Sequence, residues 1–175
     1  MRFYTSKECE EWCKMLEVPL DDRREPAREL THQHRLRCNF PPAFTQLLWF
    51  SRCIESALQP RQMCLLWVTD FGIFPSNENY HIYYRLRQSY GDVRLLDEAP
   101  GHLCLDYERA EVVTLVHLCI LFGWDVHLIP SVGYGRAFVC HDEWVEIGFD
   151  DKRLFDETRQ SLEQAELEVS AYDAN

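Results

Sequence analysis

The sequence contains no hydrophobic run long enough to cross a membrane. Its longest apolar stretch, residues 112–124, includes Thr114 and His117 and is shorter than the roughly 20 residues that a transmembrane helix needs. Residues 1–12 carry charges at the positions where a secretion signal has its apolar core. We therefore expect a cytoplasmic protein that is not associated with a membrane.

The chain is also poor in positive charge. It has 18 Lys and Arg against 29 Asp and Glu, a formal net charge of -11. A protein that binds nucleic acid needs a basic face, because the phosphate backbone repels an acidic surface. We therefore expect no nucleic-acid partner. The acidic excess is greatest in residues 121–175, where 4 basic and 12 acidic residues give a net charge of -8.

Cysteine is abundant, but the patterns that give it a special role are missing. There are eight cysteines, and none of them forms a Cys-x-x-Cys pair. His32 and His34 flank Gln33 without a second pair of ligands nearby, so a structural zinc site is not expected. Because no export signal is present, the cysteines are expected to be free thiols. We predict no metal, no cofactor and no disulfide.

Apolar residues make up 46% and charged residues 27% of 175 residues, which is the balance of one folded domain. Helical spacing of apolar residues predicts helices over residues 6–17, 41–58 and 78–89, a helix between Asp106 and Gly123, and a C-terminal helix whose apolar stripe runs from Leu154 to Val169. Apolar runs bounded by turn residues predict strands over 63–69, 103–105, 125–129, 135–140 and 144–149. Residues 21–39 alternate charges and predict an irregular connector or a short exposed helix.

These elements predict a single α+β domain spanning residues 1–175. We expect a mixed sheet of four or five strands with helices packed on its faces. The strand that begins at Met63 is expected to run parallel to the strand that begins at Asp125, through a right-handed crossover. The last three strands are expected to form an antiparallel meander, because short turns join them.

Several segments resemble a family of small bacterial proteins for which no activity is established. They are LWVTDFGIFPSNEN (residues 66–79), YYRLRQSYGD (83–92), EAPGH (98–102), LFGW (121–124) and FVCHDEW (138–144). The resemblance covers roughly residues 40–150. Cys140 stands where the family pattern has serine, and Trp144 stands where it often has tyrosine. The size and acidity of the chain are similar to those of immunity proteins that are paired with bacterial toxins.

Two clusters of polar residues are candidates for chemistry. His141, Asp142 and Glu143 lie together in a predicted turn, where a histidine beside carboxylates suits acid-base catalysis; the competing interpretation is a polar hairpin turn. Asp70 ends a buried strand, and Glu78 and His81 follow on one face of a helix, at a strand end of the kind where ligands bind in α/β sheets. The competing interpretation is that Asp70 and Glu78 stabilise the turn and the start of the helix.

Two further groups are candidates for binding a partner. Tyr80, Tyr83, Tyr84 and Arg87 share one helical face, and aromatic residues and arginine are enriched in protein interfaces. Asp142, Glu143, Glu163 and Glu166 belong to the acidic C-terminal third and would attract a basic partner. The competing interpretation is that these acids form a solvated face.

The sequence predicts a non-enzymatic module that binds another protein. Its acidity points to an immunity-type protein that neutralises a basic toxin. The alternative is a small metal-assisted hydrolase or nuclease-like enzyme that uses Asp70, Glu78, His81 and His141. A third interpretation is a subunit that acts only in assembly. An enzyme needs these polar groups to converge in one concave pocket, whereas a binding protein spreads them over a surface.

Overall fold

The computed structural model describes residues 1–71 and 77–173, and of residues 77–80 and 173 it describes the backbone alone. The helices are α1 (Ser6–Met15), α2 (Phe44–Leu58), α3 (Asn77–Ser89), α4 (Arg109–Phe122) and α5 (Lys152–Gln164), and a short 3-10 helix (Asp106–Glu108) precedes α4. The strands are β1 (Arg2–Tyr4), β2 (His34–Asn39), β3 (Arg61–Asp70), β4 (Gly101–Leu105), β5 (Asp125–Val132), β6 (Gly135–Cys140), β7 (Trp144–Phe149) and β8 (Val169–Asp173). No helix in the described ranges is long and apolar enough to cross a bilayer.

All eight strands belong to one open antiparallel sheet in a single α+β domain. Their order is β1-β4-β3-β5-β6-β7-β2-β8. The predicted α+β class and the β5-β6-β7 meander are confirmed. The predicted sheet of four or five strands was too small, because β1, β2 and β8 were not recognised. The predicted mixture of parallel and antiparallel pairs was also wrong, since every pair is antiparallel.

The predicted parallel pairing of the Met63 and Asp125 strands is wrong. Strand β3 pairs with β4 on one side and with β5 on the other, antiparallel in both cases. Strands β4 and β5 therefore run in the same direction, with β3 between them. Helix α4 joins β4 to β5, which are separated in the sheet by β3. Because β4 lies in the connection between β3 and β5, the chain reaches β5 in the direction opposite to β3.

The two faces of the sheet are covered differently. Helices α2, α4 and α5 bury one face in a large core that includes Phe50, Leu66 and Val126. Helix α1 packs on the other face, where Trp12 and Cys13 contact a smaller cluster. The indole nitrogen of Trp12 donates a hydrogen bond to the carbonyl oxygen of Ile129 at 3.2 Å, which fixes α1 on β5.

Two further segments differ from the sequence-based expectation. Residues 34–39 of the predicted connector form β2, whose apolar Leu36 and Cys38 alternate with two arginines. The C-terminal helix ends at Gln164, and Val169 lies in β8 instead of in the helical stripe. Glu166 follows the helix with a left-handed backbone (φ 62°), so α5 cannot continue through it.

All eight cysteines are free thiols, and Cys53 is the one that is not buried. Burial raises the pKa of Cys13, Cys38 and Cys104 to about 12. The thiolate is the form that attacks disulfide reagents. Burial raises the pKa of Cys53 as well, but its sulfur is the one that a reagent can reach, so we expect a single thiol per chain to react with an aromatic disulfide in a fast phase.

Labelling kinetics check this prediction. The fast phase should vanish in Cys53→Ser and persist in Cys140→Ser, because Cys140 is 1% exposed. The melting temperature should be the same with and without a reducing agent. A fast phase in Cys53→Ser would contradict the prediction.

Candidate functional site

A groove of about 460 Å³ lies between the start of α2, the end of α4 and the turn from β6 to β7. Its walls are mainly apolar and its polar groups come from that turn. The lining residues are Phe40, Pro41, Pro42, Phe44, Leu47, Ile120, Leu121, Phe122, Gly123, His141 and Glu143. A concave apolar surface with a few polar groups at one end is typical of a binding site.

The local sequence explains why the groove stays open. Pro41 and Pro42 lie in the extended segment before α2, since proline cannot supply the backbone N–H groups of a helix interior. Gly123 ends α4 in the left-handed conformation (φ 63°), which turns the chain away from the groove into β5. The backbone N–H of Phe40 donates to the carbonyl oxygen of Glu143 at 2.8 Å and ties the two sides together.

Large apolar side chains project from the rim of the groove. Phe44 is 79% exposed and Leu121 is 39% exposed. Both line the groove, Phe44 from the first turn of α2 and Leu121 from the last turn of α4. Clustered exposed apolar side chains on a soluble protein mark an interaction site.

A buried carboxylate holds His141 at the polar end of the groove. Oδ1 of Asp125 accepts hydrogen bonds from the backbone N–H of His141 at 2.7 Å and from its Nδ1 at 2.9 Å. The side chain of Asp125 is fully buried. Arg28 lies 2.8 Å from Oδ2 of Asp125, an ion pair without hydrogen-bond geometry. The carboxylate thus orients the imidazole, whose Nε2 points away from Asp125 and lies 3.5 Å from a carboxylate oxygen of Asp142.

Cys140 lies beside this pair. Burial raises the pKa of its thiol to about 11; a hydrogen bond with the Asp142 backbone opposes this, and the carboxylates of Asp125 and Asp142 add to it. The thiol is therefore protonated at neutral pH, whereas a nucleophile or a metal ligand would have to be the thiolate. Ligand atoms of Asp125, Cys140 and His141 lie within 4.8 Å of one another. Carboxylate, thiolate and imidazole are ligands that zinc accepts, so the three residues could hold a metal.

The structure brings some of the predicted catalytic residues together. Asp70 ends β3 and is the register partner of Asp125, so it lies at the same end of the sheet as His141. Asp142 is exposed in the turn, with one carboxylate oxygen 3.5 Å from Nε2 of His141. His81 is exposed on α3. The side chain of Glu78 lies outside the described part of the chain.

Of the predicted partner-binding face on α3, Tyr83 and Arg87 lie inside the protein. They are 1% and 0% exposed, so the helical face that they share points toward the sheet and not toward solvent. Tyr84 is half-buried, and its hydroxyl accepts a hydrogen bond from the backbone N–H of Leu96 at 3.2 Å. The side chain of Tyr80 lies outside the described residues.

The predicted acidic residues are all exposed but do not share one surface element. Asp142 and Glu143 lie in the turn beside the groove. Glu163 lies on α5 and pairs with Arg159 at 2.7 Å, and Glu166 follows the end of that helix. The groove therefore has two of the four acids beside it.

Sequence reasoning missed Asp125 and Arg28. The signal for Asp125 was a charged residue directly before the apolar run Val126 to Ile129, a position that becomes buried when the strand is central. Arg28 lies in a segment without helix or strand, and no pattern in the sequence links it to Asp125. The resemblance over residues 40–150 stays a prediction: no protein-family model, no curated protein and no solved structure matches this chain.

Proposed function

We propose that this protein is a non-enzymatic module that binds another protein through the groove between α2 and α4. The observation that carries the proposal is a preformed, mainly apolar groove with the exposed side chains of Phe44 and Leu121 in its lining. A buried apolar anchor in a pocket supplies much of the energy of a protein interface. Phe44 and Leu121 would cover such an anchor when the partner is bound.

The charges around the groove favour a basic partner. Its lining includes Glu143 and has no lysine or arginine, and Asp142 is exposed next to it. The whole chain carries a net charge of -11. Complementary charge accelerates association and excludes partners of the same sign. The partner we propose therefore presents a bulky apolar side chain followed by Lys or Arg, and an immunity-type protein that masks a basic toxin fits this description.

A charge inside the apolar rim tests the proposal. Phe44→Glu should weaken partner binding at least tenfold, since it places a carboxylate where an apolar anchor is buried. Stability should change by less than about 0.5 kcal/mol, because the side chain is mostly exposed. Tyr107→Glu is the matched control: Tyr107 is 81% exposed and precedes the opposite end of α4.

The measurement has two stages. Crosslinking in cells, followed by mass spectrometry, compares the proteins bound by wild type, Phe44→Glu and Tyr107→Glu. Purified partner is then titrated against all three by calorimetry across a salt series. The proposal is supported by a basic protein that the wild type and Tyr107→Glu bind and that Phe44→Glu does not bind. Binding that is equal for Phe44→Glu and wild type, or an acidic partner, would overturn it.

The second candidate function is a metal-assisted hydrolase that uses Asp70, Glu78, His81 and His141. The observation in its favour is that Asp70 and Asp125 are paired in the sheet and that Asp125 bonds His141. Zinc or manganese titration of the wild type and of His141→Gln tests it. Metal binding with hydrolysis of an ester or phosphodiester probe, both lost in His141→Gln, would replace the first proposal.

A further inference from the structure

We propose that a second cavity, on the face of the sheet opposite the large core, binds a small anion that carries a planar ring, such as a mononucleotide. This arginine-aromatic cavity has a volume of about 400 Å³, within the range of small-molecule sites. It is lined by Arg28, Glu29, Arg35, Arg37, Trp144, Glu146 and Tyr172.

Strand alternation builds the cavity. Arg35 and Arg37 alternate with buried Leu36 and Cys38 along β2, so both arginines point to the face away from the large core. Arg37 is opposite Glu146 of β7, and Arg35 is opposite Tyr172 of the edge strand β8. Arg28 and Glu29 close the cavity from the segment that precedes β2.

Arg37 is the cation that remains available to a ligand. Its guanidinium lies 3.6 Å from the centre of the Trp144 ring, stacked on the ring face. No carboxylate of the described residues lies within 4 Å of it. A guanidinium that is stacked on one side keeps its N–H edge free, and that edge matches the paired oxygens of a phosphate or carboxylate.

The other two arginines are held in place by acids. Arg35 lies 3.6 Å from Glu29 and 3.7 Å from Glu146. Glu146 also accepts a hydrogen bond from the backbone N–H of Leu30 at 3.0 Å, so it is fixed. Arg28 is paired with Asp125. The cavity thus gathers 3 of the 18 basic residues of an acidic chain, and one of them, Arg37, has no acidic partner among the side chains that the structure describes.

The aromatic residues account for the planar part of the ligand. Tyr172 is 48% exposed, and its ring lies 5.3 Å from the Arg35 guanidinium. Aromatic rings and guanidinium planes are the surfaces on which nucleobases stack. One unpaired guanidinium suits one phosphate group, whereas a polymer of phosphates would be repelled by the net charge of -11. We therefore infer a mononucleotide and not a nucleic acid.

Isothermal titration calorimetry at low ionic strength tests this with adenosine monophosphate as the probe. Inorganic phosphate and adenosine separate the contributions of the anion and the ring, and each should bind at least tenfold more weakly than the nucleotide. Arg37→Gln should weaken nucleotide binding at least tenfold, and Tyr172→Leu about fivefold or more, with thermal unfolding recorded for both variants. Arg37→Lys keeps the charge but lacks the planar fork, so it should lose less affinity than Arg37→Gln.

Arg61→Gln is the matched control. Arg61 lies 5.1 Å from the ring centre of Tyr134 and donates to its hydroxyl at 2.7 Å, outside the arginine-aromatic cavity. This variant should bind the nucleotide as the wild type does. The proposal is overturned by a wild type that does not bind the nucleotide, by equal losses in Arg37→Gln and Arg61→Gln, or by phosphate alone binding as tightly. Tighter binding of a single-stranded oligonucleotide would overturn it in favour of nucleic acid.

Discussion

Replacing Arg87 with methionine is expected to lower the free energy of unfolding by about 3 to 5 kcal/mol, the cost of removing one partner from a buried ion pair. Arg87 is fully buried and donates to Asp92 at 3.1 Å, to the hydroxyl of Tyr83 at 3.0 Å and to the carbonyl oxygen of Ala99 at 3.1 Å. Methionine fills a similar volume but supplies none of these donors. Three buried acceptors would each lose a hydrogen bond.

The network around Arg87 connects α3 to the edge of the sheet. Tyr83 bonds to Nε2 of His102 in β4, and the Arg87 guanidinium lies 4.5 Å from the centre of the Phe3 ring in β1. Burial opposes ionisation of Asp92, but hydrogen bonds from Arg94 and Arg87 outweigh it and lower the pKa of that carboxyl. The loss of Arg87 should therefore loosen α3 and the β1-β4 edge together.

Urea unfolding of Arg87→Met and Arg153→Met checks this expectation. Arg153 forms an exposed pair with Glu157 at 2.9 Å on α5, and exposed pairs contribute little. Its replacement should change stability by less than about 0.5 kcal/mol. Equal stability of the two variants would mean that the buried network does not stabilise the fold.

The same residue illustrates what helical spacing can predict. Spacing placed Tyr83 and Arg87 on one face of a helix, which is where they lie. It did not predict which side of the helix packs on the sheet, because a face with tyrosine and arginine is as suitable for an interface as for a buried network. Two of its buried partners, Asp92 and Ala99, lie 5 and 12 residues later in the chain, beyond the end of α3, so helical spacing does not link them to Arg87.

The strands show the same division between local and long-range information. The bounds of β6 and β7 were predicted exactly, because short turns fix the pairing of neighbouring strands. The direction of β3 relative to β5 depends on whether β4 is inserted between them, which local sequence does not determine. Strand β2 was missed because residues 21–39 alternate charges and contain few apolar residues; in the structure Arg35 and Arg37 of β2 line a cavity beside Trp144.

The candidate site was predicted in part. His141 was identified as a polar residue beside carboxylates, but Asp142 and Glu143 were taken as its partners. Its closest partner is Asp125, 16 residues earlier in the chain, because β5 and β6 are neighbours in the sheet. Arg28 connects the two proposed sites, since it pairs with Asp125 beside the groove and also lines the arginine-aromatic cavity.

The second large effect is a loss of folding stability, which we expect when the pH falls from 7 to 5. Burial is the main cause that lowers the pKa of His102 and of His127 to about 3. Arg87 adds to this effect at His102, where hydrogen bonds to the backbone of Leu66 and Pro100 oppose it. Arg136 and Arg28 add to it at His127, where the Asp21 charge opposes it. Both histidines thus stay neutral in the folded protein, whereas in the unfolded chain they titrate near pH 6.5.

The sign of the effect follows from proton binding. Between pH 6.5 and 3 the unfolded chain binds protons that the folded protein does not, so stability is complete above pH 6.5 and falls as the pH decreases. At pH 5 each histidine should lower the free energy of unfolding by about 2 kcal/mol, and the two together by about 4 kcal/mol. Most carboxylates titrate below this window, so the histidines dominate it.

Denaturant unfolding at pH 5, 6 and 7 measures the slope of the free energy of unfolding against pH in three proteins. His127→Phe should remove the part that His127 contributes, about 2 kcal/mol between pH 7 and 5, because phenylalanine keeps the ring that stacks on Phe138 at 4.6 Å and has no proton to bind. His81→Gln should leave the slope as in the wild type, since His81 is exposed on α3. A slope that is the same in His127→Phe and in the wild type would mean that His127 becomes protonated without unfolding, and that its burial does not control the acid stability of this protein.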